Sequence, residues 1–432
     1  MPKILKIDVH HVTRIEGHGN LVVRASDGKV EKAEWQVPEA PRFFEAFVRG
    51  RRWDEIQGVV SRICGICSIS HSLAAVKAIE NAFSIKLTDE LYQLRVLTHY
   101  SELLQSHVLH VGYLVAPDLF GAKSVVPLID THLDIVKKIV GLHRIANEWS
   151  DLLAGRTTHP ITLVPGGFTR IPSERELRDL RKRLVDHIQF AQDVAETVLS
   201  AADKLPGFAR DTEYVALKKP GEYAFYDGEI ATSDAEQGMP VARFEDAVNE
   251  YVCAQSTAKW TKWHRDSYAV GAMARYNLNR QHLLPLAKKW SNMFGLPDRC
   301  TNPYLNSVVQ LVECAHIIED SLRLLDELMA HPPKAAKVDF KPKASNGAGA
   351  IEAPRGILFH RYLFNEDGVC TAANMCIPTN QNHGNLQKDV EALVPTILHL
   401  SQNDIQKYLE MLVRSYDPCV SCSTHFLKVT FI

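Results

Sequence analysis

The chain has 432 residues, of which 46% are hydrophobic and 23% are charged, which is the composition of a folded globular protein and not of a disordered one. Its 49 Lys and Arg residues against 51 Asp and Glu residues leave a formal net charge of -2, so the sequence has no basic footprint for nucleic acid or for an anionic membrane. No shift in composition marks a linker, and we therefore expect residues 1–432 to form a single large domain.

The sequence shows neither a secretion signal nor a membrane span. Its first residues, MPKILKIDVHHVTRIEGHG, lack the basic start, apolar stretch and cleavage site of a signal peptide. No apolar run approaches the roughly 18 residues that a spanning helix needs. Nine cysteines, an odd number in a long chain, favour a reducing compartment in which some thiols serve metal or redox chemistry. We therefore expect a cytoplasmic protein.

The predicted elements begin with strands and continue with long helices. Residues 3–40 alternate apolar and polar side chains around a Ser-Asp-Gly turn, which predicts a small antiparallel sheet. Apolar residues at spacings of three and four then predict helices over residues 72–84, 89–115, 127–154, 174–203 and 386–415. Long amphipathic helices of this kind pack as bundles with sites between facing helices. The predicted fold is mainly α with small β subdomains (α+β).

Proline and glycine mark the segments between these elements. Residues 159–167, 216–245 and 331–349 predict loops or short β pieces. Residues 357–364, ILFHRYLF, predict a strand that follows an exposed-looking loop, GAGAIEAPRG. A loop in this position has the form of one that delivers side chains into a site.

Two CxxC pairs are the main chemical signal. Cys64 and Cys67 lie in SRICGICSISH, and Cys419 and Cys422 lie in DPCVSCSTH near the C-terminus. Each spacing lets two thiolates face one metal, and thiolates are soft donors that select zinc, copper(I), iron-sulfur clusters or nickel-type centres over magnesium or calcium. If the two pairs meet in space, they form a four-thiolate site buried between the N- and C-terminal segments.

Two other interpretations of these pairs remain open at this point. A structural zinc site also uses four cysteines, although its pairs usually lie close together in the sequence. A thioredoxin-type dithiol needs a βαβ context that neither pair shows, and it would explain only one pair. The other five cysteines have no partner spacing, so each is expected to be a small buried hydrophobic residue: Cys253, Cys300, Cys314, Cys370 and Cys376.

The motifs around the cysteines resemble those of a known family. RICGICSISH and DPCVSCSTH are similar to the two signature motifs of nickel-iron hydrogenase large subunits, in the expected order and at the expected ends of the chain. Further matches are RIEGH at 14–18, RFFEAFVRGR at 42–51, HPITLVPGG at 159–167, EAPRG at 352–356 and IPT at 377–379. The resemblance covers essentially the whole chain. It implies the reversible heterolytic cleavage of dihydrogen to protons and electrons.

The resemblance also implies the metal ligands. Cys64, Cys67, Cys419 and Cys422 would hold nickel, and Cys67 and Cys422 would also bridge to an iron that carries cyanide and carbonyl. A magnesium or similar divalent ion would be bound by Glu45 and His425, with a backbone carbonyl near Met375 or Cys376 as a possible third ligand. Hard cations prefer such oxygen donors. A glutamate on a surface helix is the alternative interpretation of Glu45.

Three residues match the family's positions for proton transfer and polarisation. Cys419 would take the proton first, and Glu16 of RIEGH would accept it and pass it on. Arg355 of EAPRG would lie over the open metal face, where its guanidinium could polarise a bound ligand and anchor a cyanide nitrogen. The simpler alternatives are a salt bridge from Glu16 to Arg14 and an ordinary surface arginine at 355.

Further residues would support this site. Asp417 and Asp118 resemble the two aspartates that hold the arginine, although a helix cap would explain Asp118 equally well. His71 could hydrogen-bond a bridging sulfur, with a satisfied core histidine as the competing interpretation. The residues that would line the diatomic ligands are Pro354, Arg355, Pro378 and Thr379, with the hydroxyl of Thr379 donating to cyanide.

The last seven residues, FLKVTFI at 426–432, resemble the C-terminal tail that a maturation endopeptidase removes in this family once nickel has been inserted by dedicated factors. The sequence has no leftover cysteine set for an iron-sulfur relay, which implies an iron-sulfur small subunit. It also has no GxGxxG fingerprint, so NAD(P), flavin, deazaflavin or ferredoxin would bind to other subunits of a soluble complex.

Two alternative functions share these features in part. A hydrogen-sensing regulatory hydrogenase would carry the same motifs and differ in turnover and partner. A quinone-coupling subunit like that of respiratory complex I shares the fold but lacks the four cysteines, so the intact thiolates speak against it. Metal content separates the hydrogenase from a structural zinc protein.

Overall fold

The computed structural model describes residues 4–424. The 12 β-strands in this range are β1 (Ile4–Val9), β2 (Asn20–Ser26), β3 (Lys29–Gln36), β4 (Leu163–Val164), β5 (Gly167–Phe168), β6 (Glu213–Lys218), β7 (Glu229–Thr232), β8 (Ala235–Met239), β9 (Tyr268–Ala269), β10 (Ser345–Ala353), β11 (Gly356–Phe364) and β12 (Cys370–Cys376).

The same range contains 14 α-helices, which are α1 (Phe44–Val48), α2 (Trp53–Val60), α3 (Ser68–Phe83), α4 (Asp89–Leu109), α5 (Ala116–Leu119), α6 (Leu128–Ala154), α7 (Glu174–Leu199), α8 (Phe244–Val248), α9 (Ala272–Asn279), α10 (Pro285–Met293), α11 (Asn306–Ala330), α12 (Pro378–Ile397), α13 (Gln402–Ser415) and α14 (Val420–Ser423). A π-helix, His110–Val115, joins α4 to α5.

Long helices form the centre of the fold, as the apolar periodicity predicted. Helix α4 packs against both α6 and α11, and α7 packs against α6 and α11. Their apolar faces are buried in one large hydrophobic cluster that also contains Cys64, Cys67, Cys419 and Cys422. Most of the predicted helices agree with the structure to within a few residues. The mainly α fold with small sheets is therefore confirmed.

The N-terminal sheet is also confirmed. Strands β1, β2 and β3 pair in sequence order and antiparallel. Residues Asp27 and Gly28 of the turn have φ angles of 50° and 77°, which a tight two-residue hairpin turn requires and which Asp-Gly accommodates well. This sheet covers α12, because β3 packs along that helix.

The predicted helix over residues 386–415 is wrong in extent. The structure has two helices there, and α13 begins after Ser401, whose hydroxyl caps it by accepting a hydrogen bond from the backbone N–H of Asp404. Helix α12 begins at Pro378, eight residues before the apolar pattern does. Its first two turns, PTNQNHGN, consist mostly of polar residues that are buried and hydrogen-bonded, so they show no apolar periodicity.

The predicted exposed loop GAGAIEAPRG is also wrong. Most of it is the buried strand β10, which pairs with β11 and packs on α3. A Cβ at Gly347 or Gly349 would lie within 2.5 Å of the α3 backbone. The glycines therefore serve the close approach of a strand to a helix, and only residues 354–355 form the turn.

Candidate metal centre

The two cysteine pairs lie at the starts of two helices. The chain leaves a short 3-10 helix at Ile63, and Cys67 immediately precedes α3. The Cys64 sulfur accepts hydrogen bonds from the backbone N–H groups of Ile66 (3.3 Å) and Cys67 (3.1 Å), which fixes the first pair. Cys419 precedes the short helix α14, and Cys422 lies inside it.

The four sulfur atoms converge, as the sequence predicted. Cys64 Sγ lies 3.5 Å from Cys419 Sγ, Cys67 Sγ lies 3.9 Å from Cys422 Sγ, and the sulfurs of Cys419 and Cys422 are 2.6 Å apart. All four lie within 4.8 Å of one another and are buried. A metal–thiolate bond is about 2.3 Å long, so thiolates around a shared metal lie roughly 3–4 Å apart. The Cys64–Cys419 and Cys67–Cys422 distances lie in this range, and the Cys419–Cys422 distance is shorter. The donor set therefore fits a soft metal centre.

The pKa values of the thiols also favour a bound cation. Burial raises the pKa of Cys64, but hydrogen bonds from the three other cysteines and the charge of Arg355 outweigh it, so this pKa is held well below its ordinary value. The pKa of Cys419 is raised well above its ordinary value, first because of its hydrogen bond to Cys422. Four buried thiols in mutual contact cannot all ionise unless a cation compensates their charge.

Glu16 is held against the second cysteine pair. Its backbone N–H donates to Pro418 O (3.3 Å), and its carbonyl accepts from Val420 N–H (2.9 Å), so it forms a bridge beside Cys419. Its carboxylate oxygen Oε2 accepts from Ser421 N–H at 3.1 Å. The next residue, Gly17, has a φ of +81°, and a Cβ there would lie 2.7 Å from the Ser421 nitrogen. The predicted salt-bridge alternative with Arg14 is not observed, because Arg14 pairs with Asp118.

Arg355 reaches the cysteine cluster from the turn between β10 and β11. Its Nε donates to the carbonyl of Asp417 (2.6 Å), and its Nη2 donates to the carboxylate of the same residue (2.8 Å). Gln310 donates to the other oxygen of that carboxylate at 3.2 Å. Nη1 of Arg355 is buried and has no hydrogen-bond partner among residues 4–424. A charged donor is therefore left for a ligand.

A small cavity of about 10 Å³ lies between these groups. Thr379 contributes a hydroxyl whose oxygen accepts from Cys419 N–H at 3.0 Å, which leaves the hydroxyl proton for donation elsewhere. The rest of the wall is largely apolar. The lining residues are Cys67, His71, Ala353, Arg355, Leu358, Ile377, Pro378, Thr379, Cys419 and Cys422. A much larger cleft of about 520 Å³, lined by Tyr92, Tyr100 and Tyr223 among others, contains none of the predicted site residues.

Three of the predicted supporting residues have other contacts. Asp118 does not hold Arg355; its carboxylate binds the guanidinium of Arg414 at 2.7 and 3.0 Å and that of Arg14 at 2.5 Å. The predicted partner of Asp118 is therefore wrong, because the carboxylate meets Arg414 of α13, whereas Arg355 lies in the turn between β10 and β11. His71 lines the cavity, and its Nδ1 lies 3.2 Å from Nε2 of His360. Pro354 lies outside the lining, and its carbonyl accepts from Arg275.

The residues predicted for a divalent ion are partly described. Glu45 is buried, and its Oε1 accepts from Met375 N–H at 2.8 Å. The backbone N–H of Arg42 donates to Thr424 O at 2.6 Å, which brings the end of the described chain to the start of α1. His425 and the predicted tail at 426–432 lie outside the described residues.

Sequence reasoning missed two residues that shape the centre. The Arg42 guanidinium donates to Ile63 O (2.7 Å), Arg62 O (3.0 Å) and Ser421 O (3.2 Å), and so it joins the two cysteine segments. Glu102 of α4 accepts from the backbone N–H groups of Ile69 (2.6 Å) and Ser70 (2.8 Å) at the start of α3. Burial raises the pKa of Glu102 to about 8. Arg42 begins the matched stretch RFFEAFVRGR, whereas nothing local marks Glu102.

Comparisons with known proteins agree with this geometry. The family profile described as "Nickel-dependent hydrogenase" matches residues 42–131 and 213–425, and a profile described as "HoxL-like" matches residues 6–40. The chain is 30% identical to the sulfhydrogenase 2 subunit alpha of Pyrococcus furiosus over 98% of this chain and 100% of that one. It is 29% identical to the NAD-reducing hydrogenase HoxS subunit beta of Cupriavidus necator, over 98% of this chain and 95% of that one.

A solved structure is also similar. The fold matches an NAD+-reducing [NiFe]-hydrogenase in the H2-reduced state with a TM-score of 0.89 and 26% identity, over 97% of this chain and 99% of that chain. Among residues 4–424, none of the helices has both the length and the apolar character to cross a bilayer. The family match, the relatives and the four-cysteine cluster agree. The chain belongs to the nickel-dependent hydrogenase family, as the catalytic large subunit of an oxidoreductase that acts on hydrogen.

Proposed function

We propose that the chain catalyses the reversible heterolytic cleavage of dihydrogen at a nickel-iron centre held by Cys64, Cys67, Cys419 and Cys422. The observation that carries this proposal is the convergence of four buried sulfurs to within 4.8 Å, beside the fixed charge of Arg355. Soft thiolates suit nickel and iron, and Cys67 and Cys422 would be shared by both metals. When bound, the centre, with cyanide and carbonyl on its iron, supplies the open coordination position at which dihydrogen is polarised and split.

Proton removal is assigned to Cys419 and Glu16. Cys419 takes the proton on its sulfur, and the Glu16 carboxylate accepts it and passes it on by general acid-base exchange. Support comes from the backbone of Glu16, which pairs with the residues on both sides of Cys419, and from the hydrogen bond of its carboxylate to Ser421 N–H. Since Glu16 is only half-buried, its carboxylate can release the proton toward the protein surface.

Arg355 and Thr379 are assigned to orient the ligands of the iron. The buried Nη1 of Arg355 has no partner among residues 4–424, and the Thr379 hydroxyl proton is not used by Cys419. Both are donors at the edge of an apolar cavity, where hydrogen bonds to a cyanide nitrogen are strengthened by the low local dielectric. Asp417 keeps the Arg355 guanidinium in place. Pro378 and His71 complete the wall.

We also propose a magnesium ion at Glu45 and His425. The buried carboxylate of Glu45 and the carbonyl groups of the neighbouring strand β12 are oxygen donors of the kind that hard cations prefer. The Arg42 to Thr424 hydrogen bond brings the residue before His425 to the helix that carries Glu45. The segment 426–432 is proposed to be removed during maturation.

The electrons are proposed to leave through an iron-sulfur small subunit and further subunits that use NAD(P), deazaflavin or ferredoxin, in a cytoplasmic complex. The relatives that support this are named as subunits of larger enzymes, and one of them is an NAD-reducing hydrogenase. The similar solved structure is likewise that of an NAD+-reducing [NiFe]-hydrogenase. Of the three carriers, we therefore favour NAD(P).

The deciding experiment is metal analysis with infrared spectroscopy on anaerobically purified protein. We expect one nickel per chain and at least as much iron, since the proposed small subunit would add iron-sulfur clusters. Stretching bands of cyanide and carbonyl should be present in protein that oxidises hydrogen with an artificial acceptor. Zinc alone, or full-length mature protein without nickel and iron, would contradict the proposal.

Matched cysteine variants make the result specific. Cys419→Ser removes one of the four clustered sulfurs and is expected to abolish the infrared bands and the nickel. Cys300→Ser changes a cysteine that is equally buried but lies outside the cluster, so it is expected to keep both. Equal loss in the two variants would mean that cysteine replacement merely damages the fold.

A further inference from the structure

A cluster of buried charges lies next to the turn that carries Arg355. Arg275 of α9 is completely buried, and its Nε and Nη2 bind the two carboxylate oxygens of Glu313 at 2.7 and 2.6 Å. Its Nη1 binds Glu352 at 3.1 Å. Tyr223 and His107 also bind Glu313, each at 2.8 Å. Burying this many polar groups is costly unless every group is paired.

The same guanidinium binds the backbone of the turn. Nη1 donates to Ala353 O (3.1 Å), and Nη2 donates to Pro354 O (3.2 Å). These are the two peptide carbonyls immediately before Arg355. Only a planar fork of donors can bind one carboxylate in bidentate fashion, a second carboxylate and two carbonyls together. Charge neutralisation alone would need no contact with the turn.

We propose that Arg275 is a positioning residue, which fixes the backbone of residues 353–354 and thereby holds the Arg355 guanidinium at the metal cavity. Arg355 is then restrained at both ends, by Arg275 through the turn and by Asp417 at the side chain. The inference rests on the role proposed above for Arg355. An error of about 1 Å in the placement of such a group can cost about 100-fold in rate.

The anchor of Arg275 is suited to rigid positioning. Although burial raises the pKa of Glu313, Arg275 and His107 lower it to about 2, so this carboxylate keeps its charge at neutral pH. A group that does not exchange its proton is a poor proton carrier. Glu313 is therefore interpreted as a fixed anchor for Arg275 and not as a proton carrier.

The test compares Arg275→Lys with Arg95→Lys. Arg95 is a matched control, because it is also completely buried, pairs with a glutamate (Glu80, 3.0 Å) and donates to two backbone carbonyls, Val164 O and Gly167 O, at 2.7 and 2.9 Å. Its carbonyls belong to a different turn, away from the metal cavity. Both variants keep the positive charge and lose the guanidinium hydrogen bonds, which in Arg95 all come from Nη2.

The main readout is backbone hydrogen exchange of a peptide covering residues 350–358, followed by mass spectrometry, which does not depend on activity. We expect at least about tenfold faster exchange of this peptide in Arg275→Lys, as when several hydrogen bonds are lost, and no change in Arg95→Lys. Turnover per bound nickel should fall at least about tenfold in Arg275→Lys only, with an unchanged KM for the electron acceptor. Exchange equal to that of Arg95→Lys would overturn the inference.

A second variant covers the case in which Arg275→Lys fails to fold. Glu313→Gln keeps the side-chain shape and removes the charged anchor that binds Arg275 at 2.7 and 2.6 Å. The same peptide should therefore exchange about fivefold faster, and unchanged exchange would overturn the inference. Arg355→Lys separates the two proposals. Undiminished turnover in that variant would contradict the role of Arg355, whereas the exchange measurement tests the clamp by itself.

Discussion

Replacing Glu16 by Gln isolates the proton-transfer role from the structural one. The amide oxygen of Gln can still accept from Ser421 N–H, now 3.1 Å from Oε2 of Glu16, and the backbone bridge to residues 418 and 420 does not involve the side chain. The substitution therefore removes the exchangeable proton while retaining the local geometry.

The two expected magnitudes differ greatly. A hydrogen bond to a charged acceptor becomes one to a neutral acceptor, which lowers the free energy of unfolding by only about 1 kcal/mol. Loss of a positioned acid-base group lowers turnover by about 100-fold or more. The assay measures hydrogen oxidation with an artificial acceptor, per bound nickel, and the conversion of D2 to HD in H2O, which depends on the same proton exit.

Glu39→Gln is the matched control, since Oε2 of Glu39 also accepts a hydrogen bond from a backbone N–H group. The donor is His18 of the RIEGH segment, at 3.0 Å. It should leave both rates unchanged. Turnover of Glu16→Gln within about threefold of the wild type, with full nickel and iron, would refute the assignment of Glu16 to proton transfer. Equal losses in both variants would point to a general disturbance of the RIEGH segment.

Three further predictions concern the surroundings of the site. Arg42→Gln should weaken the link between the two cysteine segments by about 1–3 kcal/mol, because the lost hydrogen bonds are charge-assisted but partly exposed, and a chelator should remove nickel faster. Asp118→Asn should lower the free energy of unfolding by about 3 kcal/mol in denaturant titrations, since it removes the carboxylate shared by the buried guanidinium of Arg414 and the part-buried one of Arg14. Turnover per nickel should be nearly unchanged. Burial raises the pKa of Glu352 to about 7 from an ordinary 4.5. Between these two pH values the folded state therefore binds a proton on Glu352 that the unfolded state does not. The free energy of unfolding should fall by up to about 3 kcal/mol as pH rises through that range. Glu352→Gln should flatten this part of the thermal-unfolding profile against pH, and an unchanged slope would contradict the assignment.

The local sequence was sufficient to predict an element or a site wherever a single segment carries the signal for it. Alternation and an Asp-Gly turn define the N-terminal sheet, and apolar spacing defines α3, α4, α6 and α7. The two CxxC pairs predict four metal ligands because thiolate chemistry depends on residue type and spacing. Cys64 and Cys419 are 355 positions apart, and it was the resemblance of their motifs to the family's two signatures that implied a shared site.

Only the tertiary structure decided which distant groups are partners. The glycines of β10 suggested an exposed loop because close packing against α3 cannot be read from one strand. The polar start of α12 has no apolar period, since its side chains are buried through hydrogen bonds. Asp118 binds Arg414 and not Arg355, and Arg275 reaches the 353–354 turn across 78 residues of sequence. Such pairings depend on where whole elements pack, and short-range spacing does not encode that.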